Sequence, residues 1–236
     1  MLYDNSNKIQ QYLSKLHCFD DFPITKESLA NMEGKNPPQI RNILLIIEHE
    51  PVYTAGQFSK DCISVFEQNK LRSLGAQFRQ TNRGGLATFH GPGQITAYPV
   101  LNLRHFKPSI KGFVWNLEQT AIDTCKEFGI TAERSPNTGV WVQDNKICAI
   151  GVHVSRGVTT HGLAINCCTD LKWFEHIIPC GIEGKGVTSV SKELTKTVTI
   201  ETVLPILKNC FENIFDCHLI EMTDEEKNSV LEAVKS

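Results

Sequence analysis

The residues best suited to chemistry fall in three short stretches. Arg83 to Pro99, RGGLATFHGPGQITAYP, holds four glycines, two prolines, two threonines, an Arg and a His in seventeen residues. That is poor material for a helix or a regular strand. Glycines permit positive φ and close backbone approach to a ligand, and prolines stiffen the turn that carries them. Arg83, Thr88 and His90 can then converge on one small volume. The second stretch, HIIPCGIEGKGVTS, sets Cys180 between Pro179 and Gly181, in a tight exposed turn unlike the apolar surroundings of Cys125 and Cys148. A thiol is a nucleophile only as thiolate, and with a reference pKa of about 8.5 it needs a nearby cation or base. On its own Cys180 reads either as a nucleophile or as a small loop thiol. The third stretch, KICAIG, begins with Lys146 just after an Asp144-Asn145 turn, where a lysine is ordinarily a solvated charge.

The elements that must position these residues follow from periodicity. Ile9, Tyr12, Leu13 and Leu16 form an apolar stripe on an N-terminal helix that Asn5 or Ser6 would cap. Ile43 to Ile47 is an apolar, β-branched run suited to a buried strand, and Val65 to Leu74 reads as a short helix stopped at Gly75. Asn31 to Gln39 reads as a surface loop. Ile95 to Leu103 reads as a strand leaving the glycine-rich loop. Ser109 to Phe128 is the clearest helix, with Phe113, Leu117, Ala121, Cys125 and Phe128 on one face, Ser109 at its start and Gly129 at its end. Val140 to Val142, Ile147 to Val154 and Leu163 to Cys167, separated by turns at Asp144-Asn145 and Arg156-Gly157, read as a β-meander. Helices over Ile200 to Phe215, and from a Thr223/Glu226 capping box to about Val234, complete the chain. Strands clustered beside segregated helices indicate an α+β fold.

Composition bounds the function. The 236 residues, 41% hydrophobic, suffice for one sizeable core, so residues 1–236 are expected to form a single domain. No apolar run reaches the ~18 residues of a membrane span, and a soluble protein is expected. A formal net charge of -2 argues against a general nucleic-acid binder. Nine scattered cysteines in a chain of this size suggest a reducing compartment, with eight of them small buried hydrophobes. There is no C-x-x-C and no H-E-x-x-H, so no metal site is expected. The first residues have no apolar signal core and no Arg-rich character, so no targeting peptide is legible.

The stretches together, with HEPVYTAGQ at His49 to Gln57 and HGLAIN at His161 to Asn166, resemble the octanoyltransferases (lipoyl/octanoyl protein transferases). The order and spacing of five segments carry the resemblance, from His49 to Leu194. WFEHIIPCGIEGKGVTSVS, Trp173 to Ser191, is most similar to the animal mitochondrial members, which implies a mitochondrial location. The resemblance implies the catalytic fold of biotin and lipoate protein ligases, a central mixed sheet flanked by helices, with no cofactor.

It also implies roles. Cys180 is the acyl-accepting nucleophile and Lys146 its acid-base partner. Arg83, Gly84, Gly85, Leu86, Ala87, Thr88, Phe89 and His90, with Ala149, Ile150, Gly151, Gly162, Leu163 and Ala164, line the acyl pocket. Small side chains at several of these positions leave room for a narrow aliphatic tunnel. Gly162, Leu163 and the Gly84-Gly85 region are candidate N–H donors to an oxyanion. His90 and His161 either brace the structure or position the carbonyl, and Thr88 braces the loop. The implied donor is octanoyl-acyl carrier protein. The implied acceptors are lipoyl domains, such as the glycine cleavage carrier protein and the 2-oxo-acid dehydrogenase E2 subunits. Both are acidic, and Arg104, His105, Lys107 and Lys111 form the densest basic cluster, either a docking patch or a solvated face. An ATP-dependent lipoate or biotin ligase is the competing reading, with the same fold but a nucleotide site in place of an acylated cysteine.

Overall fold

Uninterrupted apolar and β-branched runs build the main sheet, and capped amphipathic helices cover it. The computed structural model describes residues 1–19, 42–59, 63–106, 108–177 and 184–235, with 18 and 19 described by backbone alone. In chain order these residues form α1 (Tyr3–Phe19), β1 (Ile43–Ile47), β2 (Val52–Ala55), α2 (Val65–Ser73), β3 (Gln77–Gln80), β4 (Thr88–His90) and β5 (Gln94–Val100). Then come α3 (Leu103–Phe106), α4 (Ile110–Glu127), β6 (Glu133–Arg134), β7 (Val140–Val142), β8 (Asn145–Ser155) and β9 (Val158–Asn166). The last elements are β10 (Gly186–Val187), α5 (Val190–Glu193), α6 (Ile200–Phe215) and α7 (Asp224–Ala233).

The large sheet runs β1-β5-β9-β8-β7-β6, antiparallel throughout, and β10 pairs with β8 in parallel. A small sheet, β3-β2-β4, packs its own aromatic cluster of Tyr53, Phe78, Phe89 and Phe174. The fold is α+β with mixed sheets. Alternation along β1 separates two cores: Leu44 and Ile46 face the main core, whereas Ile43 and Leu45 face α1. The main core joins Phe113, Leu117, Ala121 and Cys125 of α4 to Leu207, Phe211 and Phe215 of α6 and to Val140, Ile147 and Ile165 of the sheet. Ser109 caps α4 by accepting the Gly112 N–H at 3.1 Å, and Gly129, at φ 73°, ends it.

Several boundaries differ from the sequence expectation: the last meander strand, expected over Leu163 to Cys167, starts five residues earlier, at Val158, and the one before it extends from Asn145 to Ser155. The N-terminal helix starts at Tyr3, so Ser6 lies inside it and donates to the Tyr3 carbonyl rather than capping. Burial of Tyr3, 2% exposed, draws the start outward. The strand leaving the glycine-rich loop ends at Val100, because the Leu103 N–H donates to the Gly157 carbonyl and Asn102 Oδ1 accepts from Arg104, which starts α3. The loop expected at 31–39 lies outside the described residues.

Truncation at the α4 anchor gives a direct test of this core. Phe113→Ala should lower the unfolding free energy by about 3–5 kcal/mol in urea titrations, whereas Lys111→Ala, exposed on the same helix, should stay within about 0.5 kcal/mol.

Candidate active site

Lys146 sits at the second position of an eleven-residue strand whose regular alternation would turn it toward the core. The pairing prevents this. Val140 faces Cys148 and Trp141 faces Lys146, so Ile147 is one residue too many on β8 and makes a β-bulge. Ile147 and Cys148 consequently both enter the main core. Lys146 is thereby placed on the same side as Ala149 and Gly151, where all three line a cavity of about 200 Å³. The bulge aims the amine.

Its surroundings then fix it. Lys146 is 5% exposed, its Nζ donates to the Thr138 carbonyl at 3.1 Å, and the same Nζ lies 4.7 Å from the centre of the Trp141 ring. An ammonium has three donors, and among the described residues Thr138 is the one acceptor that takes one of them. The backbone is held as well: Val187 pairs with Lys146, and the Thr188 N–H donates to the Lys146 carbonyl at 3.0 Å. Strand β10, which follows residues 178–183 in sequence, therefore runs directly beside the Lys146 backbone. Cys180 itself lies outside the described residues.

The cavity brings together Arg83, Gly85, Leu86, Thr88, His90, Ala149, Ile150, Gly151, His161, Gly162, Leu163 and Ala164 with Lys146. Three residues of the expected set do not line it. Phe89 stacks on Trp173 at 5.0 Å in the small-sheet core, Ala87 is buried, and the Gly84 N–H is committed to the Val152 carbonyl at 2.9 Å. Of the small residues expected to leave room, at 84, 85, 149, 151 and 164, Gly151 instead meets backbone, as does Gly162. A Cβ on Gly162 would stand 2.2 Å from the Ala97 oxygen, and one on Gly151 2.9 Å from the Gly84 oxygen. Backbone already fills that room. As for oxyanion donors, Gly84 is engaged and Leu163 lies between Ala97 and Ile150 in a strand paired on both sides.

Arg83 is a brace. Its Nη2 donates to the Thr54 carbonyl and hydroxyl, both at 2.8 Å, and to the Leu86 carbonyl at 2.9 Å, while Nη1 donates to the Gly84 carbonyl at 3.0 Å. These bonds tie the glycine-rich loop to β2. His90 is fixed by a relay: Gln94 Nε2 donates to Asn166 Oδ1 at 2.9 Å, which turns Gln94 Oε1 toward His90 Nδ1 at 2.8 Å. The His90 proton therefore sits on Nδ1, leaving Nε2 as an acceptor. Burial, with His49 and Arg83 adding to it, holds His90 well below the usual histidine range. Burial likewise pulls His161 down to about 3 and His49 down to about 4. It pushes the Tyr3 phenol up to about 12 and Tyr98 well above its ordinary value. The back of the cavity is polar and uncharged apart from Arg83.

Tyr3, Tyr98, Asn137 and Thr138 also line the cavity, and none was in the expected set. Tyr98 lies within the Arg83–Pro99 run and was open to inclusion. Tyr3 had no local signal, because its link to the site is a long-range contact with His161 Nδ1 at 3.5 Å. The basic cluster is remote. Arg104 lies beside Gly157 in the turn after β8, roughly 30 Å along that strand from Lys146 at ~3.3 Å per residue, and Lys107 is outside the described residues.

The sequence of residues 21–212 matches the family model described as the lipoyl protein ligase A/B catalytic domain. The chain belongs to this family. It is 54% identical over 180 residues to octanoyl-[acyl-carrier-protein]:protein N-octanoyltransferase LIPT2, mitochondrial, of Danio rerio, covering 76% of this chain and 80% of that protein. It is 50% identical over 192 residues to the Homo sapiens protein of the same name, covering 80% and 82%. Among solved structures, a lipoate-protein ligase A bound with ATP superposes with a TM-score of 0.65 at 15% identity over 97% of this chain and 90% of that one, a likeness of fold. The helix carrying Tyr3 precedes the matched region, yet contributes to the cavity.

The neutral histidines set a sign for acid stability. Above about pH 6.5 the histidines of the unfolded chain are neutral too, and the native advantage is complete. As pH falls toward the folded values, the unfolded chain takes up protons that the native state refuses, and stability drops. Urea unfolding should show this loss between about pH 6.5 and 5. His161→Gln and His49→Gln should each flatten the slope.

Proposed function

We propose that this chain forms one catalytic domain, residues 1–236, that transfers an octanoyl group from octanoyl-acyl carrier protein to the lysine of lipoyl domains in the mitochondrion. The observation that carries this reading is identity of half or more, over about four-fifths of the chain, to octanoyltransferases whose names state the donor and the protein acceptor. The ligase reading rests on a likeness at 15% identity, which speaks to fold.

The chemistry runs in two steps. The Cys180 thiolate attacks the octanoyl thioester carbonyl, the carbon–sulfur bond to the carrier's phosphopantetheine breaks, and Lys146 gives that sulfur a proton. The amine of the acceptor lysine then attacks the Cys180 thioester. Lys146, now neutral, takes the proton released, and the amide forms as the thiolate departs. Thioester replaces thioester in the first step, so the intermediate forms with little loss of free energy. Several features support this assignment. Lys146 faces an acyl-sized cavity with Leu86, Ile150 and Leu163 in its walls, and β10 brings the chain that follows Cys180 alongside it. Among the described thiols, burial pushes Cys125 and Cys167 up to about 12 and Cys148 higher still, which makes them poor nucleophiles. The acceptors are of the glycine cleavage carrier and 2-oxo-acid dehydrogenase type, and their docking surface lies nearer Lys146 than Arg104.

Incubation with octanoyl-acyl carrier protein, acid quench and peptide mass spectrometry should place one octanoyl group on Cys180. Label on another thiol would overturn the assignment. Cys180→Ser should abolish transfer, and Lys146→Ala should slow it by ~100-fold or more.

A further inference from the structure

The loop from Ser135 to Gly139 carries the carbonyl that holds Lys146, and its own anchorage is specific. Ser135 Oγ accepts the Asn137 N–H at 3.1 Å, and the Asn137 carbonyl accepts Trp141 Nε1 at 3.0 Å. The next link leaves the loop: the Gly139 N–H donates to Glu118 Oε1, 3.0 Å away on α4. Gly139 has φ 124°, a region that disfavours side chains, and a Cβ there would lie 3.1 Å from Lys146 Cε. The lysine stem passes beneath that glycine.

Glu118 is 8% exposed, between Leu117 and Ala121 of the core-facing helix. Its second oxygen accepts Arg134 Nε at 3.2 Å, and Arg134 in turn donates to the Trp115 carbonyl at 3.1 Å and to Gln119 Oε1 at 2.8 Å. A carboxylate at such a place stabilises less than an apolar side chain of similar volume, so packing alone does not account for it. Its partners do: one oxygen is neutralised by Arg134, and the other fixes the peptide next to Thr138.

We propose that Glu118 is a positioning residue for Lys146, acting through the Gly139 amide to hold the Thr138 carbonyl that orients the amine. The proposal rests on Lys146 being the acid-base group of the transfer. Glu118 touches no substrate. Its loss frees the loop, and the Lys146 head loses the acceptor that sets its direction into the cavity.

The test compares Glu118→Ala, Glu118→Met and Glu118→Gln in the full chain. Met fills the site without an acceptor and keeps the fold should Ala not, whereas Gln retains an oxygen for the Gly139 N–H. Two quantities are read: kcat and KM with octanoyl-acyl carrier protein, and the acetic-anhydride labelling rate of Lys146 relative to exposed Lys111. Ala and Met should lower kcat by on the order of 10- to 100-fold with KM little changed, as a misplaced group does. They should also raise the relative labelling of Lys146 several-fold, and Gln should restore both quantities toward the parent. Folded Ala or Met variants with parental Lys146 labelling would overturn the proposal, as would a Gln variant that labels as they do. A Lys146→Ala chain that keeps full activity would instead remove the acid-base reading, while the labelling comparison still reports the positioning.

Discussion

A primary ammonium set against an indole and one backbone carbonyl is the constraint on which this site depends. Taking such a group out of water is costly, and Lys146 recovers only part of its hydration from Thr138 and from the face of Trp141. Among the described residues Thr138 is its one hydrogen-bond acceptor, and the side chain lies at the wall of the cavity. A charged group left partly unsatisfied at the wall of a pocket is poised to bind a developing thiolate or an oxyanion, since either restores what burial removed. The price is met by the surrounding framework, with β7 on one side of the strand and β10 on the other.

The bulge explains how the same strand serves two masters. β8 must give Ile147 and Cys148 to the main core and Lys146, Ala149 and Gly151 to the cavity. Strict alternation cannot do both, because residues 146 and 148 would share a face. One extra residue resolves the conflict locally, and the neighbouring ladder from Cys148 to Ser155 stays in register with β9. The placement of Lys146 thus depends on a small irregularity in a regular sheet, and the sheet's regularity holds it in place.

This division also shows what the sequence could reveal. The helix over Ile110–Glu127, the meander and the capping box at Thr223 were legible because each is written in local spacing and cap residues. The gathering of the glycine-rich loop, the start of β8 and the middle of β9 around one cavity was legible as a family pattern. Tyr3 was not, since its position depends on a contact spanning 158 residues. The bulge was not either: KICAIG reads as an ordinary strand, and only pairing with β7 reveals the extra residue. Gly151 and Gly162 do mark close approach, but of backbone to backbone, so they shape the wall and do not widen the slot.

The electrostatics of the wall decide which group can move protons. Three histidines stand near the cavity, and each would be a natural candidate for acid-base work near neutral pH. Burial removes that capacity: it pulls His49 down to about 4 and His161 down to about 3, and Gln94 fixes His90 with its proton on Nδ1. Tyr3 and Tyr98 are pushed the other way and stay protonated. Arg83 does not give up a proton at all, and its guanidinium is bound by the oxygens of Thr54, Gly84 and Leu86. Among the described residues that line the cavity Lys146 supplies the one amine, and it is the group to which the proposed transfer assigns the proton. The neutral polar wall behind it has a complementary effect. It can orient a carbonyl without competing for a proton.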